Sequence, residues 1–286
     1  MFLRVVFVGY GIYLCEIALN LDLDLGLRQL AAVMLKQYVD SHWAHDDDDN
    51  DDPYKLIATP QAKQAIKTLL PNGLHDINSK IRSSVAYTIS SIASHDWPSD
   101  WIELFDIIVK CLAGNESSIH GAMSVLVEFT YELEGQVKEV GPIILSEVYR
   151  IFEAENIYSV KTRSVAVDIL NSLLKCINTH IESKQEQANL LNPILPLFMQ
   201  KMVQGLTIPN GVLSSFTLKK EILKVLTYML AEMPKFIIQF LPQILPPIWQ
   251  LLTQMADIYI NYIVNESDPN PFNDTVEGDK LILFLC

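Results

Sequence analysis

Apolar residues recur along this chain at steps of three and four, and almost nowhere at steps of two. Ile77, Ile81, Val85, Ile89, Ile92 and Ala93 share one face of a helix, with Arg82, Ser83, Ser90 and Ser94 placed off that face. The same spacing returns in Ile119, Met123, Leu126, Thr130 and Leu133. It returns again in Val165, Ile169, Leu173 and Ile177, then in Leu218, Ile222, Val225 and Met229. Each run predicts a helix of about 15 to 20 residues with one buried stripe.

Punctuation between the runs is regular. Asp96-Trp97-Pro98 offers an N-cap and an early proline for a helix over 98–113. Gly114-Asn115 ends that helix and opens the next, Gly141-Pro142 starts another, and Asn156 closes it. Asn192-Pro193 and Pro242 mark later starts. From start to start the helix pairs are about 40 to 50 residues long, the period of HEAT-type or armadillo-type hairpins that bury their faces only against neighbours. The expected fold is therefore all-α, a solenoid forming a single array over residues 1–286 with about six repeats. Acidic loops at 45–53 and 265–279 interrupt it. The apolar run after 279 stops within seven residues, so a fragment truncated at both ends is expected.

Composition changes this picture in two places. The formal net charge is −13 over 286 residues. Asp46, Asp47, Asp48, Asp49, Asp51 and Asp52 lie in the first loop. Glu266, Asp268, Asp274, Glu277 and Asp279 lie in the second, so the helical body is nearly neutral. A basic face for nucleic acid is disfavoured, while a basic protein partner stays open. The four cysteines, Cys15, Cys111, Cys176 and Cys286, are single and widely spaced, as expected of reduced thiols. Apolar stretches at 1–19 and 234–252 are broken by Gly9, Gly11 and Glu16 in one and by four prolines in the other. Neither is read as a membrane span.

Chemistry-bearing motifs are missing. There is no phosphate-binding glycine loop, no nucleophile elbow and no His-Glu-x-x-His, so neither an enzyme nor a cofactor is expected. Aligned as a calcium loop, Asp46, Asp48 and Asn50 fit the first ligands. However, Asp51 stands where glycine must turn the chain, and Ile57 where a bidentate glutamate is needed. The aspartate run therefore reads as a solvated loop, or alternatively as an electrostatic lure for a basic partner.

The string from Leu27 to Gln37, with Arg28-Gln29-Leu30-Ala31 and Leu35-Lys36, resembles the amino-terminal signature of the importin-β family. Asp96-Trp97-Pro98 with Trp101 is similar to an aromatic-proline corner of the same receptors. Gln37-Tyr38-Val39, Leu69-Leu70-Pro71-Asn72-Gly73-Leu74, Arg82-Ser83-Ser84-Val85-Ala86-Tyr87, His120-Gly121-Ala122-Met123, Lys161-Thr162-Arg163-Ser164 and Pro234-Lys235 extend the resemblance over roughly residues 10–286. Residues 1–9 and the aspartate run depart from it, and the helix that should come first is missing. It covers an amino-terminal third of a superhelix.

The resemblance implies a nuclear transport receptor, shuttling between cytoplasm and nucleus. Its implied partners are the Ran GTPase in its GTP form, nucleoporin FG repeats and basic cargo. For the branch it most resembles, the cargo would be core histones, ribosomal proteins and actin. Lys36, Lys80 and Arg82 fall where the family receives Ran, although Arg82 also fits an intra-repeat salt bridge. Solenoids of this kind line their concave face with the second helix of each pair, which makes Glu128, Glu132, Asp168 and Glu221 the cargo candidates. Trp97 and Trp101 read as core packing. A static HEAT scaffold, such as a phosphatase regulatory subunit, is the rival expectation.

Overall fold

The computed structural model describes residues 2–44, 56–130 and 133–264. Among these residues there is no strand. The helices are α1 (Phe2–Leu19), α2 (Leu25–His42), α3 (Pro60–Leu69), α4 (Ser79–Asp96), α5 (Leu104–Leu112), α6 (Glu116–Phe129) and α7 (Val137–Glu153). After them come α8 (Val160–His180), α9 (Lys184–Leu191), α10 (Leu195–Thr207), α11 (Phe216–Glu232), α12 (Pro234–Ile237) and α13 (Leu241–Val264). A 3-10 turn at Leu70–His75 follows α3. The two acidic loops and Glu132 lie outside the described residues.

Short polar side chains set the helix starts. Asp24, Thr59, Asn78, Asn115, Ser159, Ser183 and Ser215 each accept a backbone N–H from the first turn that follows. Those N–H groups have no partner inside the helix, so each cap removes an orphan donor. The chain packs as two compact units, Met1–Glu132 and Leu133–Cys286.

In the first unit the hairpins α1–α2, α3–α4 and α5–α6 stand side by side. The second helices α2, α4 and α6 form one row; α1, α3 with its 3-10 turn, and α5 form the other. Ile81, Val85, Ile89, Ile92 and Ala93 are sealed between them, as are Ile119, Met123 and Leu126. Gly121 lets α6 come close to the turn after α3, because a Cβ there would strike the Leu74 carbonyl. In the second unit α8 lies against both α7 and α11, and α10 lies against α11 and α13. Tyr149 and Phe152 of α7 close on Phe198 of α10, with ring centroids 5.1 and 6.3 Å apart. This is the hairpin stacking of a HEAT-type solenoid.

Several local expectations are corrected. Asp96 does not cap a helix at 98. It closes α4, and α5 starts only at Leu104, because the Asp96 carboxylate is already taken by the Trp43 indole N–H and the Lys67 ammonium. Pro142 lies inside α7, which begins at Val137. Both Pro142 and Lys138, whose carbonyl loses its donor, are exposed, so water can replace the missing rung. Ile77 precedes the Asn78 cap and is 87% exposed, while Arg82 and Ser90 are buried rather than off the face. Ser90 bonds Ala86 O and reaches Val125 O of α6, which its small side chain permits.

Residues 234–261 are long and apolar enough to cross a membrane by length and composition. Phe236 and Ile237 are buried at their start, and the buried positions that follow, Ile244, Pro247, Leu251 and Met255, keep the three-and-four spacing of a packed helix.

Gly121→Ala should lower stability by about 1–3 kcal/mol through overpacking. Gly135→Ala, which meets open space, should stay within about 0.5 kcal/mol. Urea denaturation of the two variants checks this.

Candidate functional site

A charged side chain survives in an apolar interior only when its donors are spent on acceptors. Three second helices share a device that does this, and a fourth repeats its spacing. The capping residue is followed four positions later by Arg or Lys: Asp24 and Arg28, Asn78 and Arg82, Ser159 and Arg163, Ser215 and Lys219. All four basic residues are buried. Arg28 Nε donates to Ala18 O at 3.1 Å, in the last turn of α1. Arg163 Nε donates to Phe152 O at 2.8 Å, in the last turn of α7, and its Nη1 donates to Leu213 O at 2.7 Å. Arg82 Nη1 donates to Asp76 O at 2.6 Å and Ile77 O at 2.9 Å. Each arginine thus supplies donors to carbonyls at a helix end or turn that lack an intrahelical partner.

Carboxylates complete the device. Arg28 pairs with Asp76, their side chains 6% and 3% exposed. Asp76 Oδ1 also accepts the Asn78 N–H. Glu155 lies 3.7 Å from Arg163 Nη2 and 2.9 Å from Lys201 Nζ. Burial lowers the Arg163 pKa, and the Glu155 charge opposes part of that shift. Burial also lowers the pKa of Lys219. Lys67 Nζ is held by Asp96 at 2.9 Å and by Asp100 O at 2.7 Å. These pairs are absent from the expectations above. The cap-plus-four spacing of Arg28, Arg82 and Arg163 was the available signal.

Against this background the candidate partner residues divide. In the first unit Lys36, Lys80, Arg82 and Glu128 lie on α2, α4, α4 and α6, one row of helices. Lys80 is exposed at the start of α4. Lys36 is half-buried, its ammonium 3.5 Å from the centroid of the Tyr87 ring. Arg82 is 9% exposed and makes no ion pair with a carboxylate among the described residues; it holds carbonyls instead.

Glu128 is exposed and Asp168, on α8, half-exposed, and neither has an ion-pair partner among the described residues. Glu221, on α11, is buried and held by Lys224 at 2.8 Å, with Lys220 at 4.0 Å. Of the tryptophans, Trp101 is buried and Trp97 packs edge-on against Phe129 at 4.9 Å.

Among the described residues, two clefts are of note. One, of about 450 Å³, runs in the first unit between α3 with its 3-10 turn and residues 101–111. The other, of about 530 Å³, lies in the second unit between α9 and the start of α12, with Ala188, Met233, Pro234 and Phe236 among its walls. No cluster of three metal-ligating side chains occurs among the described residues.

Residues 6–76 match the importin-beta N-terminal domain. Over 274 residues, 95% of its length, the chain is 51% identical to Importin-9 of Drosophila melanogaster, and the match spans 27% of that protein. Importin subunit beta-5 of Schizosaccharomyces pombe is 26% identical over 271 residues, 89% of this chain and again 27% of the relative. Among solved structures, importin beta in an ammonium sulfate condition matches 98% of the chain with a TM-score of 0.66 at 15% identity, and 29% of that structure is covered. Kap95p with RanGDP matches 98% of the chain (TM-score 0.63, 17% identity) and a Kap95:Nup1 complex 97% (TM-score 0.62, 17% identity), each over 34% of the solved chain.

The helical hairpins, the matched domain and these relatives define the class that the chain resembles, the importin-β family. Among members of that family it is similar to Importin-9, identical at half of the aligned positions. It spans about a quarter of the length of the curated relatives it matches.

Arg82→Ala should cost about 2 kcal/mol, since the buried Asp76 carbonyl and the part-buried Ile77 carbonyl lose their donor. Lys80→Ala should stay within about 0.5 kcal/mol. Equal losses in chemical denaturation would contradict the division drawn between them.

Proposed function

We propose that this chain forms the amino-terminal, Ran-engaging part of a nuclear import receptor. The receptor binds basic cargo in the cytoplasm, passes the nuclear pore and releases the cargo in the nucleus. The observation that carries this reading is the 51% identity to Importin-9 over 95% of the chain. The fold shared with Kap95p, a protein solved with RanGDP and with Nup1, supports it.

In this reading Lys36 and Lys80 meet the GTP form of Ran, and Arg82 supports them by fixing the start of α4. Glu128, with Glu132 four positions on in sequence, and separately Asp168 each meet a cationic cargo of the histone or ribosomal-protein type; actin is a further cargo. Glu221 acts indirectly, by holding Lys224. The aspartates at positions 46–49, 51 and 52 raise the encounter rate, an effect screened beyond about 8 Å at physiological salt. The apolar cleft by Phe236 receives phenylalanines of nucleoporin FG repeats.

The test uses the full-length receptor with Ran loaded with GTP or GDP. Preference for the GTP form is expected, weakened about 5- to 10-fold by Lys36→Ala with Lys80→Ala, a loss of about 1–1.4 kcal/mol. A static scaffold would show no nucleotide preference. For cargo, asparagine or glutamine at Glu128, Glu132 and Asp168 should weaken capture of a histone dimer at moderate salt. Unchanged affinity of the triple variant would remove these residues from the cargo site.

A further inference from the structure

The cleft of the first unit holds a nucleophile beside a base, a pair that the transport reading does not use. Cys111, near the end of α5, and His75, at the end of the 3-10 turn, both line it, with Cys111 Sγ 3.9 Å from His75 Nε2. The hydrogen-bond chain behind the ring fixes its tautomer. Asn115 Oδ1 is the α6 cap and accepts the Ser118 N–H at 3.0 Å. Being an acceptor only, it must also receive the Ser118 hydroxyl proton, at 2.9 Å. Ser118 Oγ is then left to accept, so His75 Nδ1 carries the proton it donates across 2.6 Å. The Nε2 lone pair is therefore the one turned toward the sulfur.

We propose that Cys111 is a covalent modification site for small, soft carbon electrophiles, with His75 as its proton acceptor. The sulfur forms a bond to the electrophilic carbon, and the thiol proton passes to His75 Nε2. With a haloacetamide the carbon–halogen bond breaks and halide leaves. With an enal the electron pair moves to the carbonyl-bearing carbon, which then takes the proton back.

The cleft suits such a ligand. Pro71, Trp101 and Ile107 give it apolar walls, and its volume of about 450 Å³ admits a small molecule. Burial raises the Cys111 pKa, so at rest the sulfur remains a thiol and its attack depends on a neighbouring base. Cys15 offers the contrast. Both thiols are buried, Cys111 2% and Cys15 0% exposed, but Cys15 does not line the cleft, and its pKa is pushed up to about 12 by burial and by Glu16. The other charged groups on the cleft are Lys67, already held by Asp96, with Glu103 and Lys110.

Iodoacetamide labelling of the whole folded chain, read by peptide mass spectrometry against time, tests this. Cys111 should label at least about 10-fold faster than Cys15. His75→Gln should slow Cys111 by about 100-fold and leave Cys15 unchanged. Ser118→Ala, which frees the tautomer, should slow it less, with helix content unchanged by circular dichroism. Labelling of Cys111 no faster than Cys15, or a Ser118→Ala rate matching the parent, would overturn the proposal. So would a folded His75→Gln variant whose Cys111 labels as fast as the parent.

Discussion

A hairpin of two helices leaves unsatisfied carbonyls where its first helix ends, and the fold depends on how these are met. In this chain the answer is a basic side chain four residues past the cap of the second helix. Arg28 and Arg163 reach back to the last turn of the helix before them, and Arg82 to the turn before its own helix. The same residue therefore covers polar backbone and lets the apolar stripes close around it. Because the guanidinium is planar, with five donors in a fixed fork, it reaches acceptors over a wider span than the compact ammonium of lysine. Arg163 donates to Phe152 O and Leu213 O, while its Nη2, without a hydrogen bond among the described residues, faces Glu155 at 3.7 Å.

That requirement sorts the charges of the helical body into two populations. Arg28, Asp76, Lys67, Asp96, Arg163 and Glu155 are committed to one another or to backbone, and are built into the packing. Lys80 and Glu128 are exposed, without such partners among the described residues, and so remain available for recognition. Removing one member of a buried pair strands the other, at about 3–5 kcal/mol, whereas exposed charges cost little to change.

Helix identity was legible in the sequence because the apolar period is strong. Ile81, Val85 and Ile89 were placed correctly from spacing alone. Boundaries were harder wherever one residue type can serve two roles. Asp96 reads as a cap until Trp43 and Lys67, distant in sequence, are seen to claim it. Pro142 reads as a start until its exposure shows why a helix tolerates it. The candidate site was legible only in part for the same reason. Lys80 and Arg82 are two residues apart and chemically alike, yet one faces water and the other faces carbonyls. Only the packing of the 3-10 turn before α4 separates them.

The arginine links also bear on how the chain acquires its structure. Arg28 finds its carbonyl ten residues upstream and Arg163 finds Phe152 eleven residues upstream. Contacts of such short sequence separation close small loops, so little chain entropy is lost before each link forms. During synthesis a hairpin can form this first link as soon as its second helix has emerged, while Asp76 for Arg28 and Leu213 O for Arg163 arrive with later chain. A protein built this way folds in the order in which it is made.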